Sequence, residues 1–152
     1  MNKSPLNYLI TVALGVVLWV ITAVFYGGTF SESLILNTST PDQFLSHLRI
    51  MLGIAAAIGI LNTIYWYYYG SLDSTAAELN KAKKVWMISF ILQIIASVAI
   101  LFVLIALYLT EGVATADWLI AFALMSLHTW FFYWLCTFLM SPRTVQYIPL
   151  FK

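Results

Sequence analysis

The stretch Val85–Leu109, VWMISFILQIIASVAILFVLIALYL, contains no Asp, Glu, Lys or Arg. At 1.5 Å per residue, a continuous helix over it is about 37 Å long, enough to cross a hydrocarbon core roughly 30 Å thick. A helix of a soluble bundle keeps a polar face, and this stretch is too apolar to supply one. Three other blocks have the same character: 6–26, 48–69 and 118–140, with Arg49 alone at the edge of the second. The whole chain is 62% hydrophobic and 9% charged, whereas soluble domains carry about a quarter of charged residues. The expected fold is therefore an all-α integral membrane protein, one domain over 1–152, with four transmembrane helices at about 5–26, 41–69, 75–109 and 116–140.

Charge sets the expected orientation. Lys3 precedes the first block, Lys81, Lys83 and Lys84 lie between the second and third, and Arg143 and Lys152 follow the fourth. The opposite side has Arg49 with Glu32, Asp42, Glu111 and Asp117. Six basic residues against one place both termini and the middle hairpin in the cytoplasm, of a plasma membrane or a bacterial inner membrane. The lysine trio suits anionic lipid headgroups, at about 1 kcal/mol per residue near the surface. A net charge of +1 gives no case for nucleic-acid binding. The first block has one lysine before it, a long apolar run and no small-residue cleavage pattern after it, so a retained helix is expected rather than a signal peptide.

Helix starts are marked by Ser4-Pro5, by Thr40-Pro41-Asp42-Gln43 and by Thr75-Ala76-Ala77-Glu78; the last two are capping boxes. Pro142 ends the fourth helix. The loop after the first helix holds an apolar patch, Leu34-Ile35-Leu36, and the triplet Asn37-Thr38-Ser39, a glycosylation pattern that also arises by chance. Cys136, the single cysteine, has no intramolecular partner and falls inside a span, where an inert buried thiol is expected.

Two phrases echo each other: LNTIYWYYYG at 61–70 and LHTWFFYWLC at 127–136. The tyrosine-rich end of the first suits an aromatic belt at the cytoplasmic interface, together with Trp86 and Trp134. Polar residues inside the spans are few and neutral. Asn62 and Gln93 fall at similar depth on neighbouring helices, so their amides are expected to pair, with Ser97 one turn beyond Gln93. His128 lies near the middle of the fourth helix. These four are expected interhelical polar contacts, a glue for membrane helices. His128 is also the one candidate cofactor ligand, because a buried imidazole can bind haem. The only other histidine, His47, lies near the outer surface, so haem or quinone binding would need a partner chain. Small residues Gly53, Ala55, Ala57 and Gly59 form two small-xxx-small pairs, the expected helix-packing face.

Several functions lose their residues. With no carboxylate or lysine within the four apolar blocks, ion-coupled transport is expected to lack its usual buried charge. No nucleophile–base constellation, metal-ligand cluster or phosphate loop is legible. The expectation is a non-enzymatic small subunit that stabilises a larger membrane complex, hetero- or homo-oligomeric. The alternatives are an electron-transfer or quinone/lipid-binding subunit built around His128, and a channel or transporter for small uncharged solutes.

Overall fold

The computed structural model describes residues 5–28, 41–70, 76–110 and 112–141. Helix α1 spans Pro5–Gly28 and α2 spans Pro41–Tyr65, prolonged by a π-helical turn at Trp66–Gly70. Helix α3 spans Ala76–Tyr108. A final rod joins α4, Thr115–Ser126, through a π-helical turn at Leu127–Phe131 to α5, Phe132–Met140. No strand occurs among the described residues. Four segments, Pro5–Val24, Asp42–Tyr68, Leu79–Tyr108 and Thr115–Met140, are long and apolar enough to cross a membrane. Lys3, Ser4, Glu32, the Leu34–Leu36 patch, Asn37, Thr40, Thr75, Glu111, Pro142, Arg143 and Lys152 lie outside the described residues.

The polarity of the bundle is inverted relative to a soluble one. Along α3 the buried positions are Ala82, Trp86, Ser89, Gln93, Ser97, Ile100, Leu104 and Tyr108, a stripe spaced three or four residues apart. Its middle is polar, while Ile88, Leu92, Ile95 and Phe102 point outward and are 56–64% exposed. Helix α1 does the same with Thr11 and Thr22 buried and Leu9, Val17 and Val24 outside. Lipid tails are as apolar as leucine, so nothing drives leucine inward in a membrane. Small and hydrogen-bonding side chains are what helices gain by meeting.

Large apolar side chains do gather inside at the two ends. At one end Phe44, Leu48, Leu52, Leu104, Tyr108 and Met125 pack together, and His47 Nδ1 lies 2.6 Å from the Tyr108 hydroxyl, tying α2 to α3. At the other end Trp66, Tyr67, Trp86 and Tyr133 form a second cluster. The turn from α3 to α4 passes through Gly112 at φ 71°, a left-handed conformation that costs glycine nothing. Ala114 then opens α4, its carbonyl accepting from the Asp117 amide at 3.0 Å.

Candidate functional site

Asn62 and Gln93 sit on facing, antiparallel helices, but they do not pair with each other as expected. Asn62 Nδ2 donates to the Ser89 carbonyl at 3.1 Å, and Gln93 Nε2 donates to the Ile58 carbonyl at 3.3 Å. Ile58 and Asn62 are four residues apart, as are Ser89 and Gln93, so the two bonds form reciprocal rungs one turn apart. That four-residue stagger separates the amides by about 6 Å along the axis. Each therefore uses the spare lone pair of the carbonyl opposite it. Ser97 is also reassigned: its hydroxyl bonds within its own helix, to the Ile94 carbonyl at 2.8 Å, and bridges nothing.

The two rungs floor a lateral groove of about 450 Å³ between α2 and α3. Asn62, Gln93 and Ala96 line its base, and Leu61 and Leu92 form its rims. Gln93 is fully buried, and its Oε1 receives no hydrogen bond. A buried acceptor without a donor costs about 1–3 kcal/mol.

His128 is 1% exposed and lies in the π-helical turn of the last rod. Its Nδ1 is 2.7 Å from the Leu124 carbonyl, which makes Nδ1 the protonated nitrogen. Nε2, left as an acceptor, lies 3.0 Å from the Thr22 hydroxyl of α1, whose single proton it shares with the Leu18 and Trp19 carbonyls, each also 3.0 Å from that hydroxyl. Both ring nitrogens are thus engaged, and a metal or haem ligand at Nε2 would have to displace Thr22. No group of three or more metal-ligating side chains occurs among the described residues. Thr22→Val keeps the shape and strands Nε2. We expect it to cost about 1–2 kcal/mol, read as a lower midpoint when unfolding in detergent is followed through reaction of the buried Cys136 with a thiol dye.

The aromatic phrase at 65–69 divides by face. Tyr65 and Tyr68 are 46% and 56% exposed, as an interfacial belt requires. Trp66, Tyr67 and Trp86 are buried instead and hold the last rod. Trp66 Nε1 donates to Ser141 Oγ at 2.9 Å, Tyr67 Oη to the Cys136 carbonyl at 3.0 Å, and Trp86 Nε1 to Thr137 Oγ1 at 3.0 Å. Asn7 Nδ2 of α1 adds a bond to the Met140 carbonyl at 3.3 Å. The end of α5 is therefore gripped by all three other spans. Rings placed at headgroup level by composition turn inward here because the indole and phenol donors find acceptors on α5.

The small residues of α2 also split between two faces. A Cβ on Gly59 would strike the His128 carbonyl oxygen, so α2 meets the last rod in close backbone contact at Gly59, with Ala55 buried one turn away. Gly53 and Ala57 face α1 instead. With Gly15 and Ala56 they line an apolar trough of about 280 Å³ that opens sideways. Trp19 of α1 lies along it and donates through Nε1 to the Arg49 carbonyl at 3.4 Å.

Two charged groups complete the inventory. Lys81, Lys83 and Lys84 are exposed on α3 around the buried Ala82. Asp117, expected on the outer side at the start of the fourth helix, is 2% exposed in the first turn of α4, and its Oδ2 receives no hydrogen bond. Its position four residues before Ala121 and eight before Met125, both fully buried, puts it on the inward face. That inward phase is the signal by which the sequence could have shown it. Comparison with known protein families, curated proteins and solved structures finds no match in any of the three.

Proposed function

We propose that this chain is a non-enzymatic integral membrane subunit that docks on a transmembrane helix of another chain and stabilises a larger complex. The trough between α1 and α2 carries the proposal. Gly15, Gly53 and Ala57 add at most one methyl group to its lining, with Ile60 beside Gly15 and Trp19 beside Gly53 as its apolar walls, and small residues at such a surface let a further helix approach closely. Its lining holds no charged residue, so the occupant is apolar. Both termini and the Lys81–Lys84 stub face the cytoplasm in this proposal, on the basis of six basic residues against one. The lysines contact anionic headgroups there, and the membrane is a plasma or bacterial inner membrane. Full engagement of the His128 ring weighs against a haem-carrying role.

Extraction of the tagged chain from its native membrane in mild detergent, followed by sizing, tests the proposal. The expected result is co-elution with other chains in fixed ratio. A stable isolated monomer with its own ligand or transport activity would count against it.

A further inference from the structure

We infer that the helix filling the trough between α1 and α2 carries a carboxylate, which pairs with the Arg49 guanidinium at the mouth of the trough. The mouth meant is the one nearer the start of α2, the outer side in the proposed topology. The inference rests on the subunit role proposed above and names the chemistry of its partner. Arg49, Gly53 and Ala57 follow one another at four-residue spacing, so they share a face of α2, with Arg49 one turn beyond the lining. Trp19 fixes that placement. Its Nε1 lies 3.4 Å from where a Cβ on Gly53 would stand and donates to the Arg49 carbonyl. Arg49 is exposed, and a helical side chain leans toward the helix N-terminus, so its guanidinium extends outward from the mouth.

Among the described residues the bundle offers that cation no anion. Helix α1 holds no Asp or Glu over Pro5–Gly28, and the one acid of α3, Glu78, is in its first turn at the opposite end. Asp42 lies seven residues before Arg49 on α2, about 10 Å along the axis, and Asp117 is turned into the interior. Arg49 also departs from the charge pattern, as the one basic residue on the side opposite six others. A helix seated on Gly53 and Ala57 covers the same face one turn further out and takes Arg49 away from headgroup phosphates. A cation enclosed in such a contact without a counter-charge is costly. The planar guanidinium is matched best by a carboxylate, held through two parallel N–H donors. A partner helix with an Asp or Glu about one turn outward of the segment in the trough supplies it, whichever way that helix runs.

The test uses the full chain in its native membrane, with a benzophenone side chain replacing Val16, which lines the trough, as the crosslinking probe. Arg49→Gln should lower the yield of the Val16 adduct with another polypeptide about tenfold, the equivalent of one charge-assisted bond. Arg49→Lys, which keeps the charge, should lose less. Sequencing the crosslinked peptide should find an Asp or Glu about one turn outward of the crosslinked segment. Arg49→Asp combined with arginine in place of that acid should restore the adduct. Trp19 bonds to the main chain of Arg49, so Arg49→Gln should leave the Cys136 unfolding midpoint unchanged; if it does not, the exchanged pair decides. The inference is overturned, with the subunit role intact, if the adduct persists at full yield in Arg49→Gln, or if Glu32→Gln or Asp42→Asn reproduces the loss. A partner without an acid at that place also overturns it, and assigns Arg49 to a lipid phosphate. If the chain with Arg49 in place gives no polypeptide adduct at Val16, the subunit role fails and the inference with it.

Discussion

Replacing Trp86 with alanine is expected to destabilise the bundle by about 2–4 kcal/mol. Trp86 is fully buried and stacks on Phe90 at 5.0 Å and on Tyr133 at 5.8 Å between ring centroids. It also ties α3 to α5 through Thr137. In a water-soluble core such a truncation costs about 3–5 kcal/mol. The smaller figure follows from the proposed membrane setting, in which the unfolded side chain rests in lipid, so the transfer contribution falls away and lost packing remains. Trp86→Phe, which keeps a ring and loses the indole donor, should cost only about 1 kcal/mol. Thiol-dye unfolding at Cys136, which is 1% exposed, reads both. Equal midpoints for the two variants would show that the aromatic cluster contributes no packing energy.

The second large effect is expected at Gly59. A methyl group there meets the backbone carbonyl of His128, and a backbone atom of a packed rod has no rotamer by which to move aside. Gly59→Ala should cost about 1–3 kcal/mol as α2 and the rod are pushed apart, despite a gain in helix propensity of up to about 1 kcal/mol. Gly53→Ala is the control. Its Cβ would lie 3.4 Å from Trp19 Nε1, an ordinary contact, so propensity dominates and the variant should be neutral or slightly more stable. The same dye assay compares them, and an unchanged midpoint for Gly59→Ala would mean that the helices do not meet there.

The four long apolar helices were legible because length and the absence of charge are one-dimensional properties of the chain. Which faces pack was harder to read, since the habit of placing apolar residues inside points the wrong way in lipid. The run Ser89–Gln93–Ser97 already had helical spacing, and so did Thr11–Gly15–Leu18–Thr22. Read as packing seams rather than as interruptions, they mark the buried stripes of α3 and α1. The partners of the amides were not legible. Depth counted along each helix puts Asn62 and Gln93 at one level, but their carbonyl acceptors depend on a stagger of a single turn. The π-helical turns were hidden for a similar reason. Both fall inside the two echoing phrases, at Trp66–Gly70 and Leu127–Phe131, and no residue type announces the change in winding. Within and just after the second turn adjacent residues face inward together, His128 with Thr129 and Phe132 with Tyr133. That widened face lets one rod meet three neighbours.

The inverted stripes and the trough connect the sequence to the proposed role: among the described residues, polar side chains close the bundle internally and the trough offers a small-residue surface to another chain. Photo-crosslinking in the native membrane addresses this directly. A benzophenone side chain replacing Val16, which lines the trough, is compared with one replacing Phe102, 64% exposed on α3. The account predicts a discrete adduct with another polypeptide from Val16 and only lipid adducts from Phe102. Lipid adducts alone at Val16 would contradict it.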